Sequence, residues 1–346
     1  MIACRLATDA CIPAQLQPAQ VLEYARSRDA DDGALLRGTA LAAPAGGLPL
    51  AGALVTPEQY LRLLANTLRA LDSPDTAFML GQQLLPGHDG ALSHALLQAP
   101  SLRHALTTVC AGHARLTPLL QPRLHLWEGE AALVWTDSFG APSLRPALVE
   151  MHMTAVVALC RWLGGTRLPW RFTFNRAAPR HVEQHEVHLG SDVRFGCHVD
   201  AMLVDARWLD MPWPRGSALA AALALRAAEQ EPARPAGLLA ALYDYLLERV
   251  RTGPTLERTA ADFGVSPATL KRQLQRHGTH FQAELDQVRT HVALWLFHTR
   301  RAGNDAVAQY LGFHDGANFR RSFKRWTGQT PTLLRMEMDV AGAVVQ

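Results

Sequence analysis

The apolar positions of the first 165 residues recur mostly at helical spacing. Pro57 to Leu71, PEQYLRLLANTLRAL, sets Tyr60, Leu61, Leu64, Leu68 and Leu71 along one stripe. Thr56 precedes it as N-cap, with Pro57 at the first helical position. Ser101-Leu-Arg-His-Ala-Leu opens a second helix, and Pro146 to Leu163 forms a third. Between them RLHLWEG and AALVWTD read as two strands joined at Gly129-Glu130, a hairpin. Alternation returns in Arg171-Phe-Thr-Phe, near Val193-Arg-Phe, and in Ala201-Met-Leu-Val. Helices followed by strands mixed with helices predict an α+β domain of about 200 residues.

Residues 212–237 hold four prolines around one Ala-rich helical run, and EQEPARPAG at its end is the linker candidate. From Leu238 onward every pattern is helical. The expected division is therefore an N-terminal domain over 1–230, a linker at 231–237 and an all-α C-terminal domain over 238–346. Two stretches of that last domain share one grammar. Ala260-Ala-Asp-Phe-Gly264 and Ala308-Gln-Tyr-Leu-Gly312 each place a small residue four before a glycine. The alanine lets two helices cross closely, and the glycine supplies the positive φ of a sharp C-terminal turn. Ser266 with Pro267, and then Asp315, are suited to cap the helices that follow. Leu270 with Leu274, and Phe319 with Phe323, are i,i+4 pairs aimed at a core. This is a helix-turn-helix written twice.

Charge sharpens that picture. The chain carries a net +3 overall, but Pro267 to Arg335 holds eleven Lys or Arg against four Asp or Glu. A basic end on an otherwise near-neutral protein implies a polyanionic partner. On a helix starting near Asp315, Phe319, Phe323 and Trp326 share the inner face, and Arg320, Arg321 and Lys324 lie outside. Each buried ring contributes roughly 1.5–3 kcal/mol. The first unit presents Ala268, Lys271, Arg272 and Gln275 on the matching face, with Arg and Gln suited to bidentate reading of guanine and adenine edges. Arg325, near its helix end, is read as offsetting the dipole. Phe281 to Arg301 forms a spacer helix of about 20 residues, roughly 30 Å long. That approaches the repeat of about 34 Å between successive major-groove faces on one side of B-DNA.

These residues resemble the AraC/XylS family of bacterial transcription regulators, whose C-terminal module is two helix-turn-helix units joined by a long helix. The hallmark is VAQYLGFHDGANFRRSFKRWTGQTP, and TLERTAADFGVSPATLKRQLQRHGTHFQAELDQVR also matches. The resemblance implies that Ala268, Lys271, Arg272, Gln275, Ala317, Asn318, Arg320, Arg321 and Lys324 face DNA. It departs at His280, where many relatives carry Ser. The N-terminal 230 residues are similar to the branch whose sensor domain is labelled arabinose-binding, through LGQQLLPGHDGALSHALLQAPSLRHAL, the Pro146–Leu163 helix and RFTFNRAAPRH. The helical start differs from the cupin barrel of the arabinose regulator, so no sugar site is carried over. The implied partners are promoter DNA, RNA polymerase, a small-molecule effector and a second copy of the chain. The implied action is activation.

The remaining features bear on other functions. Five scattered cysteines without a CxxC fit a reducing compartment. The N-terminus lacks a signal peptide pattern. The small-residue stretch 36–56, broken by prolines and glycines, reads as a surface connection rather than a membrane span. The expected location is the cytoplasm, away from membranes. His181, His185, His188, Cys197 and His198 raise the alternative of a metal or haem sensor or an enzyme domain, since His181 and His185 stand i,i+4. HEVH is not HExxH, however, and core or solvated histidines are the favoured reading. Cys110 and Cys160 read as small core residues, and Cys197 beside His198 as a candidate redox site. Trp127, Trp135, Trp162 and Trp170 are expected to fill the core rather than form a cofactor box, with the aromatic lining of a ligand pocket as the alternative. No GxSxG, phosphate loop or HExxH points to catalysis, and no cofactor is expected.

Overall fold

The computed structural model describes residues 1–41, 53–127 and 129–336. Most of the 36–56 stretch thus lies outside the described residues. The chain forms two compact units, one from Cys4 to Leu238, the other of Met1–Ala3 with the chain from Leu239 onward. The N-terminal unit begins with β1 (Ile12–Pro13), α1 (Gln17–Arg26), α2 (Asp32–Leu36), β2 (Leu54–Val55), α3 (Pro57–Leu71) and α4 (Thr76–Leu84). Next come α5 (Gly90–Leu97), α6 (Leu102–Ala111), α7 (His113–Leu116), β3 (Leu120–Leu126), β4 (Glu130–Asp137) and α8 (Arg145–Gly164). It ends with β5 (Arg171–Thr173), α9 (Glu183–His188), β6 (Val193–Arg194), β7 (Ala201–Asp205) and α10 (Ala218–Glu229).

Local chemistry explains the helices the sequence announced. Thr56 and Gln59 form a reciprocal capping box on α3, which supplies two of its orphan end groups with partners. The buried face of α3 centres on Tyr60, Leu63 and Leu64, while Leu61, Leu68 and Leu71 are only half-buried. Ser101 accepts from the amide of His104 at the start of α6. β3 and β4 pair antiparallel with Leu124 opposite Leu133, and the chain reverses after Trp127, with Gly129 at φ 81°.

The main sheet runs β3-β4-β7-β5-β6. Neighbours are antiparallel except β5 and β6, which are parallel. β3 starts at Leu120, three residues before the expected Arg123, and so includes Pro122. Proline is tolerated there because β3 is an edge strand. Trp135, Phe172 and Phe174 from this layer are fully buried, as are Tyr60 and Phe78 from the helices. α8 is long and apolar enough to cross a membrane, yet most of it is buried inside the unit as a core helix. It packs closely on α4, where a Cβ at Gly81 would stand 2.3 Å from Met151 O.

Two partly buried ionic groups link the layers. Arg145 donates to Asp137 (2.5 Å), Asp200 (2.7 Å) and Trp135 O (3.0 Å). Arg176 donates to Glu150 and lies 2.8 Å from His185 Nε2, which is 3.1 Å from the same carboxylate. The rings of Phe78, Phe174 and Phe195 enclose His185. After α10 the segment 231–237 stays tied to this unit. Glu231 pairs with Arg115, and Gly237 bridges to Arg5.

The C-terminal unit contains α11 (Leu238–Arg249), α12 (Leu256–Asp262), α13 (Pro267–Arg276), α14 (Phe281–Arg300), α15 (Asn304–Tyr310) and α16 (Gly316–Thr327). α11 is fastened to its neighbours by Tyr245, which donates to Asp262 (2.7 Å), and by the Tyr243–His291 bond (2.8 Å). Ile2 N also donates to Asp262 O (3.0 Å).

Candidate nucleic-acid interface

In the first repeat, Thr255 caps α12 and Ser266 caps α13, each accepting an amide three residues on (3.3 and 3.1 Å). Ala260 is fully buried at the crossing, and Gly264 takes φ 73° between the helices. An L side chain rarely adopts that conformation, so the glycine is what permits the tight turn. Leu270 and Leu274 face inward with no exposure. Ala268, Lys271, Arg272 and Gln275 are all exposed on the other side of α13.

The second repeat follows the same construction with larger side chains. Ala308 is buried and Gly312 has φ 75°. Asp315 accepts from Asn318 N at 2.6 Å, and this amide holds its carboxyl below the ordinary range. Phe319 and Phe323 are fully buried. Phe323 meets Phe297 of α14 edge to face at 5.8 Å, and Trp326 lies half-buried against Phe313 and Phe323. Ala317, Arg320, Arg321 and Lys324 are exposed. Asn318 is half-buried, its amide bridging Asp315 and Arg321.

The two repeats hang on α14, which is helical without interruption over its 20 residues, a length of about 30 Å. His280 stands at its N-cap without a side-chain cap bond. Beside it, Thr279 donates to Glu284 (2.6 Å). Arg325 lies 3.7 Å from Asp286 of α14 and so ties α16 back to the rod. Lys271, Arg272, Arg276, Arg320, Arg321 and Lys324, by contrast, form no ion pair among the described residues. Six unneutralised cations on the outer faces of two short helices suit phosphate, whose bound counterions such groups displace.

Sequence reasoning did not single out Gly316, Phe297 or Phe313. Gly316 is buried where a Cβ would meet Asp305 Oδ1 at 2.1 Å, so α15 and α16 touch at that point. Its signal was present: a glycine directly after a capping aspartate, where a larger residue would have served the helix better.

The tempting histidine cluster does not assemble. His181 precedes α9 and pairs with exposed Glu183, His185 is buried against Arg176, and His188 stacks on Phe78. Among the described residues no three His, Cys, Asp or Glu side chains converge as a metal would require. Burial raises the Cys110 thiol to about 12 and pushes Cys160 up as well, leaving both as inert thiols. Trp135 and Trp170 fill the core, and Trp127 is half-buried. Trp162 corrects the expectation of a core residue. It is 47% exposed, because α8 turns that position outward near its C-terminal end.

Residues 30–213, more than half of the chain, match the family model described as the arabinose-binding domain of AraC transcription regulator, N-terminal. The chain belongs to the AraC family of transcription regulators. A helix-turn-helix domain model matches residues 259–337 of this AraC-family protein. It is 28% identical to the ornithine utilization regulator of Pseudomonas aeruginosa over 90% of this chain and 91% of that one. It is 24% identical to the transcriptional regulator VirS of Mycobacterium tuberculosis, over 82% and 85% respectively. The crystal structure of the transcriptional regulator CdpR from Pseudomonas aeruginosa is similar at 20% identity and a TM-score of 0.38, covering 76% of this chain and 87% of that one. The protein is thus a DNA-binding transcription regulator of the AraC type, and its named relatives are regulators.

Proposed function

We propose that the AraC-family regulator activates transcription from specific promoters. Ala268, Lys271, Arg272 and Gln275 enter one major groove, and Ala317, Asn318, Arg320, Arg321 and Lys324 the next. The single observation carrying this reading is the pairing of two capped, outwardly cationic helices with one unbroken 20-residue rod. Residues 238–346 form the DNA-binding domain, 231–237 the connection, and 1–230 a domain that senses a small molecule and pairs with a second copy. A ligand shifts DNA occupancy only if it binds one state of the regulator more tightly than another. RNA polymerase is the further partner, and the cytoplasm the place of action.

Binding to the regulator's own control region and to scrambled DNA of equal length tests this. Tighter binding to the former is expected, and equal affinity for both would replace the reading with a non-specific compactor. Arg321→Ala is expected to weaken specific binding by about 1–3 kcal/mol and to relax preference at one base pair. A loss that is uniform across sequences would instead assign Arg321 to a phosphate.

A further inference from the structure

The C-terminal half of α8 borders an open hollow of about 480 Å³ within the N-terminal unit, a volume suited to a small ligand. Two cations line it, Arg161 from α8 and Arg215 from the segment leading into α10. Gln82 of α4 and His188 at the end of α9 add polar groups, while Val157 and Trp162 contribute apolar surface. No aspartate or glutamate lines it, and neither arginine forms an ion pair among the described residues. The half-exposed indole of Trp162, unused by the core, belongs to this wall.

Backbone contacts hold the walls in place. Trp213 N donates to Pro100 O (2.8 Å) and Ser217 N to Gln98 O (2.9 Å). A Cβ at Gly164 would meet Trp213 Nε1 at 3.1 Å, and one at Gly216 would meet Ala99 O at 2.4 Å. These glycines allow the Trp213–Ser217 segment to lie close against the last turn of α8 and the start of α6, which fixes the backbone carrying Arg215. On the other side Gln82 Nε2 lies 3.2 Å from His188 Nδ1, and His188 stacks on Phe78 at 4.8 Å. A site already ordered before its ligand arrives loses less entropy on binding.

We propose that this hollow binds a small monocarboxylate with an aromatic or aliphatic body. Arg161 and Arg215 take the carboxylate, and Trp162 and Val157 take the body. The proposal rests on the reading of the N-terminal unit as a small-molecule sensor. Planar guanidinium matches a carboxylate through paired hydrogen bonds. An ammonium ligand meets two like charges there and no acidic partner, and a neutral polyol leaves both cations without an anion.

Calorimetric titration of the full-length regulator with phenylacetate and with octanoate tests this, with phenylacetamide and phenethylamine as controls. Saturable binding of at least one carboxylate, one per chain, is expected, with the amide and the amine weaker by about tenfold or more. Arg161→Gln and Arg215→Gln should each weaken carboxylate binding by a similar factor. Their thermal unfolding should stay unchanged, since both side chains are exposed. Absence of saturable binding by either carboxylate would overturn the proposal, as would equal affinity in wild type and both variants. The sensor reading has its own measurement, the occupancy of specific DNA with and without a small-molecule extract of the host cells. A response kept by the double variant leaves the sensor standing and removes the hollow from it, whereas no response in the wild type overturns the sensor itself.

Discussion

His152 shows how one buried side chain can make stability depend on pH. It sits on α8 with no exposure, its Nδ1 2.7 Å from Leu148 O and its Nε2 without a partner. Burial lowers its pKa to about 4, partly offset by that hydrogen bond. In the unfolded chain the same group titrates near 6.5. Between those values the unfolded state binds a proton that the folded state refuses. The contribution is therefore intact above about pH 6.5 and is lost as pH falls towards 4, at about 2–4 kcal/mol over the whole window. Urea unfolding of wild type and His152→Leu across that range checks it, because the wild type should lose stability more steeply with acid. Parallel curves would place the acid sensitivity elsewhere.

At the scale of elements, α16 is held by its aromatic face rather than by its charges. Phe323 has no exposure and meets Phe297, Phe319 and Trp326. Phe323→Ala should cost the C-terminal unit about 3–5 kcal/mol, read as a lower melting temperature. A melting temperature equal to wild type would mean that α16 is anchored by other contacts. The same elements show what a sequence can reveal. Both helix-turn-helix units were legible because their signals are local: Ser266 and Asp315 at caps, Gly264 and Gly312 at turns, and i,i+4 pairs facing inward. The sheet order was not, because β7 inserts between β4 and β5 through pairings distant in sequence. Pro122 hid the start of β3, since its tolerance depends on a strand being at an edge. The group of Glu150, Arg176 and His185 is assembled from three separate segments, and no spacing rule announces it. Helical periodicity places Trp162 on α8 without saying that its ring borders a hollow.

For the molecule as a whole, the proposed docking of both repeats in successive grooves makes the unbroken α14 place a demand on the DNA. Its two repeats should tolerate only one separation between half-sites. Inserting about five base pairs turns the second groove to the far side, and about ten restores the face but moves it roughly 34 Å onward. Both insertions should reduce affinity to that of a single half-site in a gel-shift titration. Recovery at ten would mean that the repeats are flexibly tethered. The continuous helix has a kinetic corollary as well. When one repeat lets go, the rod keeps it beside its groove at an effective concentration on the order of millimolar, so rebinding outruns escape. Dwell time at a promoter should then depend on how often both grips fail together, and a site with one weak half should act as a brief stop rather than a faint version of the full one.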